Sequence, residues 1–275
     1  MIWTFIRRHP RIAIGGSLMA ILIVLSLLAP WIAPYDPLKL NVSQRLKPPS
    51  QTYWFGTDAY GRDVLSRTLW GGQISLVIAA SVAVLSMVVG TLIGLLAGYF
   101  RAMDSIVMRV MDGLMAIPGI LLAVAMLSLS KASVQTVVIA ITIPEIPRVV
   151  RLVRAVVLSL REQTFVSGAI ASGSRVPRIL FRHILPNAMT PIIVQATYIA
   201  ASAVLIEAYL GFLGVGTPPE VPSWGNIIAE GRNFIMLAIW SVLFPGLFLG
   251  TMVLAINILG DGVRDMLDPR IAKRI

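Results

Sequence analysis

The chain contains no cysteine, which removes disulfides, thiolate nucleophiles and cysteine-ligated metal together. Histidine is almost as scarce. His9 and His183 stand alone and far apart, so no imidazole pair falls at metal-ligand spacing and no metal site is expected. Charged residues make up only 13% of the 275 residues, too few to cover the surface of a soluble domain of this size. No Gly-x-x-x-x-Gly-Lys-Ser/Thr segment occurs, so the chain cannot cradle nucleotide phosphates itself. With no clustered pair of carboxylates either, a membrane-embedded enzyme is the weakest functional class.

What the chain has instead is apolar length: 57% of its residues are hydrophobic and its mean hydropathy is +0.83. A bilayer core about 30 Å thick needs about 20 apolar residues per helical crossing. Runs at 12–32, 74–99, 107–129, 190–213 and 235–259 meet that length or approach it. A shorter run at 134–143 continues through Pro144-Glu145-Ile146-Pro147 to Val153, which predicts a further helix, kinked near its cytoplasmic end. The expected fold is therefore all-α, a polytopic membrane bundle of about six helices. The first run is preceded by Arg7, Arg8 and Arg11, but it is long for a signal peptide and lacks a small-x-small cleavage site, so a retained helix is expected. Residues 34–72 are polar and broken by Pro34, Pro37, Pro48 and Pro49, the composition of an extramembrane loop. That shift divides the chain into 1–73 and a core of 74–275.

The net charge of +10 suggests nucleic acid only until the basic residues are located. With the N-terminus inside, the inner segments carry Arg7, Arg8, Arg11, Arg101, Arg109, Arg148, Arg151, Arg154, Arg161, Arg175, Arg178, Arg182, Arg264, Arg270, Lys273 and Arg274. The outer segments carry only Lys39, Arg45, Lys47, Arg62, Arg67, Lys131 and Arg232. This asymmetry puts both termini in the cytoplasm and makes the charge topological, with no nucleic-acid partner.

The inner loop at 161–191 is too long for a simple connection. Val176, Ile179, Leu180 and Ile184 fall on one helical face, with Arg175, Arg178 and Arg182 on the other. Gly173 is the expected turn between two short helices, Pro186 the end of the second, and Thr190-Pro191 the start of the next membrane helix. A basic helix lying on anionic lipid and a docking element for a cytoplasmic partner both fit this pattern. Among membrane carboxylates, Asp112 and Glu145 are placed to pair with Arg109 and Arg148 three residues away. Glu207 has no cation nearby in sequence, which leaves a helix–helix hydrogen bond or a role in the pathway.

The segment Arg161-Glu162-Gln163-Thr164-Phe165-Val166, then Gly173, then Phe181-Arg182-His183-Ile184-Leu185-Pro186-Asn187 resembles the coupling loop of permease subunits of binding-protein-dependent ABC importers. The likeness is to the second permease type of dipeptide, oligopeptide and nickel systems. Matching stretches lie in family order at Phe55-Gly56-Thr57-Asp58-Ala59-Tyr60-Gly61-Arg62-Asp63, at Gly211-Phe212-Leu213-Gly214-Val215-Gly216 with Pro222-Ser223-Trp224-Gly225-Asn226, and at Gly260-Asp261-Gly262-Val263-Arg264-Asp265 with Leu267-Asp268-Pro269-Arg270. The family's Glu-Ala-Ala is Ser167-Gly168-Ala169 here, so the usual carboxylate is missing, with Glu162 as a substitute or merely an arginine's partner.

The resemblance implies the type I ABC importer fold and a function in moving peptides or similar solutes across the bacterial inner membrane, with nickel or glutathione as alternative cargo. It implies a homologous permease as partner, an extracytoplasmic solute-binding protein, and two ATPase subunits that use the ATP and Mg; this chain is expected to bind no cofactor. It assigns Ser167, Gly168, Ala169, Gly173, Arg178, Phe181, Arg182, His183, Leu185, Pro186 and Asn187 to ATPase coupling. It places Glu207, Phe212, Trp224 and Asn226 near the path or its outer mouth, although Trp224 also suits an interfacial anchor. Gly56, Thr57, Asp58, Gly61, Arg62 and Asp63 suit either turn and cap chemistry or contact with the binding protein or substrate. An ion-coupled secondary transporter is the rival from another class, and it would need broken helices or carboxylates at mid-membrane.

Overall fold

A computed structural model describes residues 9–267; Arg7, Arg8, Asp268, Pro269, Arg270, Lys273 and Arg274 lie outside the described residues. The described part is nearly all helical, with a single isolated bridge between Thr57 and Asp63 and no strand. The helices are α1 (Pro10–Leu27), α2 (Val64–Tyr99), α3 (Arg101–Met115), α4 (Gly119–Ser128), α5 (Val134–Arg161), α6 (Thr164–Ala171), α7 (Val176–Phe212), α8 (Trp224–Gly231) and α9 (Trp240–Leu267). Short turns at Ala29–Ile32, Val42–Gln44 and Arg232–Phe234 fill parts of the connections.

Helices α1, α2, α7 and α9 are each long and apolar enough to cross a membrane. The run at 107–129 is not one span, because α3 and α4 meet at 79°. Pro118 sits at this break, where it has no amide for the helix ladder and turns the preceding residue away from helical geometry. Counting the bent pair as one span gives up to five. Helix α5 matches the others in length but carries Glu145, Arg148, Arg151 and Arg154. It runs unbroken through Pro144 and Pro147, so the expected fourth helix is present.

Helix α2 begins at Val64, well inside the segment expected to be loop, because Asp63 caps it: its Oδ2 accepts from the Ser66 amide at 2.7 Å. The helix then continues through Gly72 and Gln73, where composition divides the chain. Ser133 and Thr136 form a reciprocal capping box at the start of α5. Gly173 turns the chain after α6 with φ +74°. There the Ser174 amide reaches back to the Ala169 carbonyl at 3.0 Å.

Pro186 does not end a helix. The segment Ile179–Ile184 takes up wider π-helical bonding and passes directly into Leu185–Phe212, with the Leu185 amide bonded to the Leu180 carbonyl. Proline is tolerated there because the first turn beyond a change of register has no fixed demand on its amide. Thr190-Pro191 likewise lies inside α7 rather than at its start, because the helix already runs from Val176.

The central contact of the bundle is α2 against α5. Gly90, Gly94 and Gly98, four residues apart, each face a valine of α5. A Cβ on them would lie 2.5 Å from Val149 Cβ, 2.8 Å from Val153 Cβ and 2.7 Å from Val157 Cβ respectively. Lipid tails give helices no hydrophobic reason to associate, so close backbone packing of this kind supplies the attraction. Helix α1 lies in a similar way on α9, where Gly15 approaches the Ala255 carbonyl and Leu259 amide, and Arg11 pairs with Asp265 at 2.7 Å. Replacing Gly94 with alanine is expected to cost about 1–3 kcal/mol through overpacking. Adding Val153→Ala should make the double variant less destabilised than the two single effects summed, as read by thermal unfolding in detergent.

Candidate functional sites at the two ends of the bundle

At the arginine-rich end, α6 and the start of α7 form one projecting surface. Ile179, Leu180 and Ile184 are buried in the core with Val166 and Val157. Arg175, Arg178, Arg182, Pro186 and Asn187 are exposed, His183 and Leu185 are half-buried, and Phe181 keeps 54% of its surface open. Ser167, Gly168 and Gly173 are exposed and Ala169 is half-buried. A Cβ at Gly168 or Gly173 would meet nothing within 4 Å. The apolar face of the amphipathic stretch is therefore already satisfied by the chain's own bundle. A lipid-surface helix would instead need that face for acyl chains. Glu162 pairs only with Arg161, at 3.3 Å and largely exposed, a contact of little energetic weight.

Two ion pairs brace this end. Arg154 holds Asp104 with Nε and with Nη2 at 2.6 Å, and Arg151 reaches Asp112 at 2.5 Å. The expected Arg109–Asp112 pair is thus replaced by a bridge from α3 to α5, because the bend after α3 lays that helix alongside the charged part of α5. Glu145 and Arg148 pair as expected, at 2.9 and 3.2 Å.

At the opposite end, the segment at 56–63 is a folded knot. Gly56 and Gly61 have φ of +72° and +75°, and a Cβ on Gly61 would lie 1.8 Å from the Asn41 carbonyl oxygen. Thr57 is fully buried, and its hydroxyl accepts from the Lys47 amide at 2.8 Å. Asp58 Oδ1 accepts from the amides of Tyr60 and Arg62 at 2.8 and 3.0 Å. Its Oδ2 holds Arg62 Nε and Arg67 Nη1, both at 2.7 Å. The same two arginines also grip Glu230 of α8. Two guanidiniums and two carboxylates thus cancel, and they join the knot, the first turn of α2 and α8. Burial pushes the Asp63 carboxyl above the usual aspartate range, opposed by two hydrogen bonds from Ser66.

Arg67 entered the sequence reading only as an outer positive charge, and Glu230 escaped it. The available signal was an arginine, fully buried here, standing four residues after Asp63 at the edge of an apolar run.

The residues expected at the path divide into two groups. Glu207 is fully buried in α7 and accepts from the Ser75 hydroxyl of α2 at 3.0 Å, a helix–helix hydrogen bond. Trp224 is also fully buried, its indole donating to the Thr68 carbonyl at 2.9 Å. An interfacial anchor holds its ring at headgroup level, whereas this ring is enclosed by protein. By contrast, Phe212 and Asn226 line a cavity of about 420 Å³ together with Gly214, Thr217, Glu230 and Arg232. Asn226 Nδ2 donates to the Thr217 carbonyl at 2.9 Å and so holds the loop after α7 in place.

Residues 90–273 match the family of inner membrane components of binding-protein-dependent transport systems. This chain belongs to that family. Residues 1–49 of the permease also match the N-terminal transmembrane domain of oligopeptide transport permease C. It is 50% identical over 268 residues to a probable peptide ABC transporter permease of Sinorhizobium fredii, covering 98% of this chain and 92% of the relative. Identity to a dipeptide transport system permease of Alkalihalophilus pseudofirmus is 41%, covering 96% and 88%. Identity to a glutathione transport permease of Pectobacterium atrosepticum is 39%, covering 97% and 89%. In fold, the permease resembles a chain of the inward-facing MetNI methionine ABC transporter, with TM-score 0.58 and 19% identity over 72% of this chain and 94% of that one. The permease is thus an inner-membrane transport component with the helical architecture of ABC importer permeases.

Asp58→Asn removes part of the compensation around a fully buried arginine and is expected to cost about 3–5 kcal/mol, measured as thermal unfolding in detergent. Asp63→Ala should cost about 1 kcal/mol through loss of the cap, while Asp63→Asn should cost only a fraction of that because asparagine caps equally well.

Proposed function

We propose that this permease is one half of the translocation unit of an ATP-driven importer of dipeptides or oligopeptides. Its partners are a homologous permease, two cytoplasmic ATPase subunits that bind ATP and Mg, and an extracytoplasmic solute-binding protein. The peptide cargo rests on the names of relatives that cover nearly the whole chain. The glutathione permease among them supports a second, narrower reading, since glutathione is itself a small peptide-like solute.

The observation that carries coupling is the surface of α6 and the start of α7, with its apolar side buried and Phe181 and the arginines presented outward. On this reading Ser167, Gly168, Ala169, Gly173, Arg178, Phe181, Arg182, His183, Leu185, Pro186 and Asn187 form the ATPase contact. Closure of the ATPases pushes on this surface. Helix α7 continues from there without a break to Phe212 at the other end of the bundle, so a displacement at the loop is carried along a stiff rod to the outer cavity. The site offers Phe181 as an aromatic anchor. The open space at Gly168 and Gly173 allows the partner's backbone to come close, and this replaces the anchoring that the missing Glu-Ala would supply.

The test uses exposed residues, because deletion of this segment would also remove buried Ile179, Leu180 and Ile184. Truncating an aromatic hot spot costs roughly 2 kcal/mol, so Phe181→Ala should weaken ATPase docking about 30-fold. In proteoliposomes, uptake should fall while the variant still inserts and unfolds at the temperature of the unaltered protein. Normal ATP-dependent uptake by Phe181→Ala combined with Arg182→Glu rules this surface out as the contact. Uptake by the isolated chain without ATP would favour an ion-coupled transporter.

A further inference from the structure

The 420 Å³ cavity at the outer end lies within the range of small-molecule sites, about 300–1,000 Å³, and it carries charge of both signs. Arg232 lines it, and its guanidinium is held in place: Nη1 donates to the Phe212 carbonyl at 2.9 Å, and the group sits over the Phe212 ring, 4.7 Å from the centroid. Among the described residues no carboxylate forms an ion pair with Arg232. Its remaining N–H groups are a pre-set fork of the kind that matches a carboxylate.

Glu230 lines the same cavity, two residues earlier. Its Oε2 takes the short contacts from Arg62 and Arg67, but Oε1 has only a 3.4 Å approach from Arg67 Nη2. That oxygen keeps acceptor capacity, and the side chain is 25% exposed.

We propose that this cavity holds the charged ends of a zwitterionic peptide as it enters the permease, with the α-carboxylate on Arg232 and the α-ammonium on Glu230. An anionic lipid headgroup shares the affinity for Arg232, but it brings no donor for Glu230 Oε1, whose one contact is the 3.4 Å approach of Arg67 Nη2. A zwitterion satisfies both walls. The proposal rests on the peptide reading and deepens it by making this permease itself a reader of peptide termini.

The test exploits the absence of cysteine. Ala229→Cys places the subunit's single thiol in the cavity lining. It is introduced into the full importer, assembled with cysteine-free partner subunits in nanodiscs, and labelled with a methanethiosulfonate reagent. Millimolar dialanine should slow labelling, and dialanine amide, which lacks the carboxylate, should not. In an added Arg232→Gln background, half-protection should need about tenfold more dialanine, the size of one lost charge-assisted hydrogen bond. Arg232→Lys should fall between the two.

Equal protection by acid and amide, or undiminished protection in Arg232→Gln, overturns the proposal. So does protection that follows phosphatidylglycerol rather than peptide, or a thiol that the assembled partners seal from the reagent. No protection alongside normal dialanine uptake in proteoliposomes of the same importer refutes this site alone. Absence of dialanine uptake by the unaltered importer refutes the peptide reading with it.

Discussion

The bundle depends on the close approach of α2 to α5. Gly90, Gly94 and Gly98 lower one helix surface by a side chain at every fourth residue, and Val149, Val153 and Val157 fill the space. Within a bilayer this packing cannot be replaced by burial of apolar area, because the lipid is as apolar as the valines. Once the two helices are seated, α5 can present Arg151 and Arg154 to α3. The bend after α3 then acquires a fixed orientation. Gly119, just past that bend, comes within reach of Pro144 of α5, so the break in one helix rests on the proline of another.

The two ends of the bundle are built on different principles. At the arginine-rich end the chain buries its own apolar side chains and leaves a charged, aromatic-tipped surface open. At the other end, buried arginines and carboxylates knit three separate segments, the knot at 56–63, the first turn of α2 and α8, into one cap. Burying so many charges is costly unless each has a partner, and here Asp58, Arg62, Arg67 and Glu230 provide one another's. The cap therefore acts as a rigid frame around the outer cavity, while α7 reaches from that frame to the exposed loop.

Much of this was legible from residue order. The apolar runs predicted α1, α2, α7 and α9 because hydropathy and length are local properties, but not the 79° bend within 107–129. Asp63 read as a cap, Gly173 as a turn and Ile179, Leu180 and Ile184 as one face, because each depends only on near neighbours. The partner of Asp112 was misread as Arg109, three residues away, because only the bend after α3 brings Arg151 alongside. Trp224 carried two readings, a place near the outer mouth or an interfacial anchor, and only its burial removes the second. A tryptophan in a glycine- and proline-rich outer loop suits a membrane interface, but the loop folds inward and its indole finds the Thr68 carbonyl.

The sequence by itself determined a helical membrane protein, its orientation through arginine asymmetry, and its membership of a transport family through four ordered motifs. The helices and the expected orientation follow from composition and local pattern, and the family from the resemblance of those motifs. The tertiary structure decided which carboxylate meets which arginine, that Pro186 lies within a continuous α7, and that Phe212, Asn226, Glu230 and Arg232 surround one cavity. Which carboxylate meets which arginine depends on segments far apart in the chain coming within hydrogen-bond distance. Between α2 and α5 that close approach is reached because α2 has glycines where α5 has valines.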